Sequence, residues 1–152
     1  MNKLAPFILV ISSMLFSTVY AQDWKYDFDE AKALAKEKNQ NIVLLFTGSD
    51  WCPPCIKLER KVFSDPEFEE FANQNFVWVK ADFPKRKKNR LPEIQQQKNI
   101  ELAEQYNRKM VFPVILMIDK EGEVLGATGY RKMSAKRYIK LLTTFDSFGR
   151  SD

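Results

Sequence analysis

The 152-residue chain has two cysteines, three positions apart in Trp51-Cys52-Pro53-Pro54-Cys55, and no histidine. Two thiols at that spacing can close and open a disulfide reversibly. Thiolate is the reactive form, and a C-x-x-C thiol at a helix N-terminus has its pKa lowered from about 8.5 to roughly 3.5–7.5 by helix N–H groups and the macrodipole. A structural zinc site would need four ligands, which only carboxylates or a second subunit could complete here. A purely structural disulfide gains little, because its entropic benefit grows with the length of the loop it closes. Dithiol–disulfide exchange is the chemistry the pair fits, with no metal and no organic cofactor.

The N-terminus bears on where that chemistry runs. Lys3 precedes the apolar run Phe7-Ile8-Leu9-Val10-Ile11, Met14-Leu15-Phe16 follows, and small or polar residues lead into Val19-Tyr20-Ala21. This is the pattern of a secretory signal peptide over residues 1–21, with a mature domain over residues 22–152. A retained membrane anchor is the alternative, but Ser12, Ser13, Ser17 and Thr18 dilute a run already shorter than the roughly 20 apolar residues that span a bilayer. No cysteine stands near the cleavage point to carry lipid. The expected setting is exported, periplasmic or secreted, where substrate disulfides form and persist.

Loss of Lys3 takes the formal net charge from +4 to +3, a mild balance. The one charge block, Lys85-Arg86-Lys87-Lys88-Asn89-Arg90 between Pro84 and Pro92, reads as a solvated loop. A nucleic-acid footprint would spread over a face with aromatic partners, so no nucleic acid is expected. Docking of an acidic partner protein is the second reading of this block. Without internal repeats or Gly/Ser linkers, the mature length fits one domain.

Helices and strands alternate along that domain. Asp27 with Glu30 resembles a capping box, and Phe28, Ala31, Leu34 and Ala35 recur at helical spacing up to Asn39-Gln40-Asn41. Ile42-Val43-Leu44-Leu45-Phe46 is a continuous apolar run, as in a central strand covered on both faces. After Thr47-Gly48-Ser49-Asp50, the Cys-Pro-Pro-Cys segment opens the next helix, since proline is tolerated in a first turn. Ser64-Asp65-Pro66-Glu67 restarts a helical segment, and Phe76-Val77-Trp78-Val79 reads as a strand. Pro92 begins a helix toward Leu102, Ala103 and Tyr106. Val114-Ile115-Leu116-Met117-Ile118, the turn Asp119-Lys120-Glu121-Gly122 and Glu123-Val124-Leu125-Gly126-Ala127 form an antiparallel hairpin. Ser134 caps a last helix with Tyr138, Leu141, Leu142 and Phe145 on one face.

With Trp51-Cys52-x-x-Cys55 after a buried strand, Tyr106 before Phe112-Pro113, a hairpin after Pro113 and Gly129 before the last helix, the chain resembles the thioredoxin superfamily over essentially all its mature length. Asp50-Trp51-Cys52-x-x-Cys55, Glu59 and Phe63-Ser64-Asp65-Pro66 are similar to the C-terminal periplasmic domain of transmembrane thiol:disulfide interchange reductases. The resemblance implies an α/β thioredoxin-like fold, with a central mixed sheet flanked by helices and the redox pair at a strand-to-helix turn. It implies that Cys52 attacks and Cys55 resolves. Sequence chemistry agrees, because Pro53 and Pro54 lack N–H donors and leave the Cys55 N–H as the nearest group to stabilise a Cys52 thiolate. By position Pro113 is the family's cis-proline, with an ordinary trans proline opening an edge strand as the second reading. Trp51, Pro53, Pro54, Phe112 and Pro113 are the expected substrate-contacting residues, with core filling as the second reading of Trp51 and Phe112.

Many thioredoxins carry a buried acid six positions before the first cysteine, where this chain has Phe46. Glu59, four residues after Cys55 on the same helix, is the candidate to take the resolving thiol's proton; pairing with a surface Lys or Arg is the alternative. Together these features describe an exported protein dithiol-disulfide oxidoreductase acting as a reductase of protein disulfides. A monomer is expected, recharged, by analogy, by a membrane or other exported electron donor. A disulfide oxidase or isomerase, or a non-catalytic client-binding module, are the alternative functions.

Overall fold

The computed structural model describes residues 23–149. The signal segment expected over residues 1–21 lies outside the described residues, as does Gln22.

Five strands form one mixed sheet in the order β1-β3-β2-β4-β5. They are β1 (Trp24–Lys25), β2 (Asn41–Thr47), β3 (Phe76–Asp82), β4 (Val114–Ile118) and β5 (Val124–Thr128). β3 pairs in parallel with both β1 and β2, whereas β4 runs antiparallel to β2 and to β5. The helices are α1 (Phe28–Lys38), α2 (Pro53–Leu58), α3 (Pro66–Asn75), α4 (Glu93–Tyr106) and α5 (Ala135–Phe148).

Strand side chains alternate between the two faces, so the sheet builds two cores. Val43, Leu45, Trp78, Ile115 and Met117 pack against α2, α3 and α5 through Leu58, Phe68, Ala72, Tyr138 and Leu142. Ile42, Leu44, Phe46, Val79 and Leu116 pack against α1 and α4 through Ala31, Ala35 and Ala103. Burial of β2 on both faces explains why residues 42–46 are uniformly apolar.

The expected helix starts hold. The Asp27 carboxylate accepts from the Asp29 and Glu30 N–H groups, Asp65 accepts from Glu67 and Phe68, and Ser134 accepts from Arg137. Three features depart from the expected elements. β1 is a two-residue edge strand whose Trp24 stands edge-on to Trp78 and Phe63. β3 continues through Lys80, Ala81 and Asp82, paired with Leu45, Phe46 and Thr47. α2 widens after Leu58 into a π-helical turn, Glu59–Phe63, where the Ser64 N–H and hydroxyl both donate to the Glu59 carbonyl at 2.9 Å.

Candidate active site

The redox turn leaves the C-terminal end of β2, the edge at which open α/β sheets bind ligands. Cys52 is the N-cap of α2, with extended backbone, and Pro53 and Pro54 fill the first helical positions. Cys52 and Cys55 are joined as a disulfide with their Cα atoms 5.2 Å apart. The Cys55 N–H donates to the Cys52 sulfur at 3.3 Å, the donor expected once both prolines are discounted. The sulfurs differ in their partners more than in access: Cys52 is 3% exposed and Cys55 4%, and the Cys55 sulfur receives the Gly48 N–H at 3.5 Å.

Gly48 is a hub that the sequence reading passed over. Its carbonyl accepts the Trp51 and Cys52 N–H groups, at 3.3 and 3.0 Å. A Cβ here would lie 2.4 Å from Trp51 Cε2, so the indole can lie over this position because the residue is glycine. Indole Nε1 donates to the Phe83 carbonyl at 2.7 Å, and the ring stands edge-on to Phe112 at 5.6 Å. Phe112 packs on Phe83 at 5.4 Å, and Phe83 stacks on buried Phe46 at 6.5 Å. Trp51 and Phe112 are therefore half-buried surface residues anchored to the core through ring contacts.

Two carboxylates stitch the turn to the segment after β3. Asp82 accepts from the Ser49 N–H at 3.0 Å and the Ser49 hydroxyl at 2.6 Å. Asp50 accepts from the Lys85 and Arg86 N–H groups at 2.9 and 3.0 Å and from Asn89 Nδ2 at 2.9 Å. The Lys85 N–H first of all, helped by Asn89 and Arg86, holds the Asp50 carboxyl below its ordinary value. Lys85 Nζ sits 3.7 Å from the Trp51 ring centroid. The basic block is exposed, as expected of a solvated loop, but it is pinned to the redox turn.

The remaining candidates are placed as follows. The Phe112–Pro113 bond is cis. Pro113 is buried, with its carbonyl 3.1 Å from where a Gly129 Cβ would stand; Pro53 is exposed and Pro54 half-buried. Glu59 lies at the junction of α2 and the π turn, its N–H bonded to the Cys55 carbonyl and its carboxylate 3.6 Å from Lys80 Nζ. Lys80 also lies 4.2 Å from the Trp24 ring centroid. The sequence reading missed Lys80, Asp82 and Phe83; the break from apolar to polar residues after Val79 was the signal available. Chemically, the site presents a disulfide with one sulfur at a helix cap beside an anchored aromatic surface. Among the described residues no cluster of three or more His, Cys, Asp or Glu is placed to hold a metal ion.

The thioredoxin-like family model matches residues 23–120. The chain is 39% identical over 112 residues to the disulfide bond reductase DsbH of Chlamydia pneumoniae, an alignment covering 74% of this chain and 66%, just under two thirds, of that protein. The solved DsbH oxidoreductase matches with a TM-score of 0.76 at 35% identity, over 83% of this chain and 85% of that one. The oxidised C-terminal domain of Neisseria meningitidis DsbD shares the fold, with a TM-score of 0.55 at 16% identity over 77% of this chain and 90% of that domain. With a family match running from β1 to the β4–β5 turn and the Cys-Pro-Pro-Cys pair at the mouth of α2, the chain belongs to the thioredoxin-like family.

Proposed function

We propose that the protein is an exported thiol-disulfide reductase that opens disulfides in client proteins through Cys52 and Cys55. The observation that carries this reading is the Cys52 sulfur at the cap of α2, with the Cys55 N–H donating to it at 3.3 Å. The same donor stabilises a thiolate at Cys52 in the reduced protein. The reductase name of the 39%-identical relative supports the direction, and the leader-like residues 1–21 support export.

In the first step the Cys52 thiolate attacks one client sulfur, the client S–S bond breaks, and the departing client thiolate takes up a proton. Cys55 then gives up its proton and attacks the Cys52 sulfur of the mixed disulfide. The second client thiol leaves, and the Cys52–Cys55 bond forms. Two electrons thus pass from the dithiol to the client; of the two protons the client sulfurs take up, one balances the proton that Cys55 gives up and the other comes from solvent, replacing the one Cys52 released on forming its thiolate. Glu59 takes the Cys55 proton in this scheme, and Trp51, Pro53, Pro54, Phe112 and the cis Phe112–Pro113 segment form the surface over which the client lies. The protein acts as a monomer, and a membrane or other exported dithiol donor reopens its disulfide.

Trapping tests the order of attack. A Cys55→Ser variant accumulates a client mixed disulfide at Cys52, and Cys52→Ser accumulates none; the reverse pattern overturns the assignment. Glu59→Gln lengthens the mixed-disulfide lifetime, and an unchanged lifetime removes Glu59 from the mechanism. A reduction potential near −270 mV fits a reductase, whereas one near −120 mV marks an oxidant and reverses the direction of electron flow.

A further inference from the structure

Beside the redox turn lies a groove of about 380 Å³, within the size range of sites that bind ligands. Its apolar wall comprises Trp51, Phe83, Leu91, Ile100, Met110 and Phe112. Ile100 and Met110 are 42% and 44% exposed, and a neighbouring depression that shares them continues past Ala103 to Glu104 and Arg108. An exposed apolar strip with a polar rim marks a binding surface.

The rim is cationic. Lys85 and Arg90 line the groove, and Arg86, Lys87 and Lys88 stand exposed on the same loop. None of these five takes part in the ion pairs found among the described residues. The acids on the redox-turn side, by contrast, are engaged from within, Asp82 by Ser49 and Asp50 by the backbone of Lys85 and Arg86 and by Asn89, while exposed Glu104 stands at the far end of the neighbouring depression. The far wall is also fixed. Met110 holds a left-handed φ of 49°, and buried Asn107 secures that turn by accepting from the Val111 N–H and donating to the Val111 carbonyl. A non-glycine residue persists in that conformation only where its surroundings over-determine it.

Resting on the reductase reading above, we propose that this groove docks the client segment adjoining the target cysteine, selecting an apolar side chain flanked by aspartate or glutamate. Trp51 belongs to both the groove wall and the redox turn, so a chain held at Cys52 has the groove beside it. The apolar side chain enters between Phe83, Leu91 and Met110, and the flanking carboxylates meet Lys85 and Arg90.

The test uses protein reduced with dithiothreitol, freed of it, and followed through a single turnover, so no electron donor is needed. Its substrates are two peptides with an internal disulfide, identical except for Glu-Leu-Glu or Lys-Leu-Lys beside one cysteine, and the small disulfide 2-hydroxyethyl disulfide. Peptide rates are divided by those with free dithiothreitol to remove intrinsic reactivity. The acidic peptide reacts about fivefold faster than the basic one, the order that one or two screened ion pairs supply. That preference falls toward unity in Arg90→Glu and in 1 M salt. Replacing the leucine with serine slows the acidic peptide roughly threefold, as partial burial of one side chain predicts. Equal peptide rates, faster reaction of the basic peptide, or a preference untouched by both Arg90→Glu and salt overturns the docking proposal while reduction of the small disulfide leaves the reductase reading intact. No reaction with any of the three substrates overturns both.

Discussion

Gly48 supports the site through what it lacks. The Trp51 indole occupies the space a side chain there would need, and its N–H is committed to the Phe83 carbonyl. Gly48→Ala therefore displaces an anchored ring, and we expect a stability loss of about 1–3 kcal/mol, as for other overpacked positions, together with a shift of tryptophan emission. Urea denaturation and fluorescence check it, and a variant unchanged in both would mean that the ring moves freely. At this scale the sequence was partly legible. The Cys55 N–H was deducible because prolines remove the competing donors, and Phe46 was deducible by counting back from Cys52. The Glu59 partner was not, because Lys80 stands 21 positions away on another strand and only parallel pairing of β2 with β3 brings that strand beside α2.

Among the elements, the legible ones carry their own signals: capping residues for α1, α3 and α5, and a continuous apolar run for β2. β1 is too short for any periodicity. The π turn depends on a hydrogen-bond register that Ser64 sets from outside the helix, and the polar end of β3 is held by pairing with a strand 35 residues upstream. The basic loop depends on Asp50 in the same non-local way. Because the folded protein holds the Asp50 carboxyl below 3.8, its contribution is complete above about pH 4 and is lost as the pH falls through the lowered value. Amide-exchange protection at Lys85 and Arg86 is therefore expected to stay constant from pH 7 to 4 and to fall below that. In Asp50→Ala it is low at every pH, by about tenfold, the order of a lost charge-assisted hydrogen bond. Protection persisting to pH 2 would place the loop's support elsewhere.

For the whole molecule, the absence of histidine combines with shifts that all point away from neutrality. The hydrogen bond from Lys98 lowers the Asp27 carboxyl, and its partner Asp27 raises Lys98 above 10.5. Burial raises the Tyr106 and Tyr138 hydroxyls above 10.0. The depressed acids support the fold above about pH 4, and the raised Lys98 and tyrosines support it until the pH rises past their ordinary values. The oxidised protein should thus show a flat urea midpoint from pH 5 to 9, and any pH dependence peculiar to the reduced form in that window belongs to Cys52 and Cys55. A sloping midpoint in the oxidised form would reveal another titrating group. Long-range order has its own test at Tyr138, whose buried hydroxyl accepts from the Arg131 N–H at 2.6 Å and donates toward the Gly129 and Arg131 carbonyls. Tyr138→Phe leaves that N–H without its acceptor, and we expect a loss of about 1–2 kcal/mol in chemical denaturation. An unchanged stability would show that the loop holding Gly129 beside Pro113 stands without it.

The four rings running from Trp51 through Phe112 and Phe83 to Phe46 connect the rim of the groove to the middle of the sheet. Each ring's magnetic environment depends on its immediate neighbours, so a molecule settling against Trp51 is expected to shift the resonances of Phe112 and Phe83, which line the same groove. The molecule thereby carries its own spectroscopic probes: the resonances of these two phenylalanines report occupancy of the groove without an added label, and buried Phe46 is the reference against which a local effect is told from a global one.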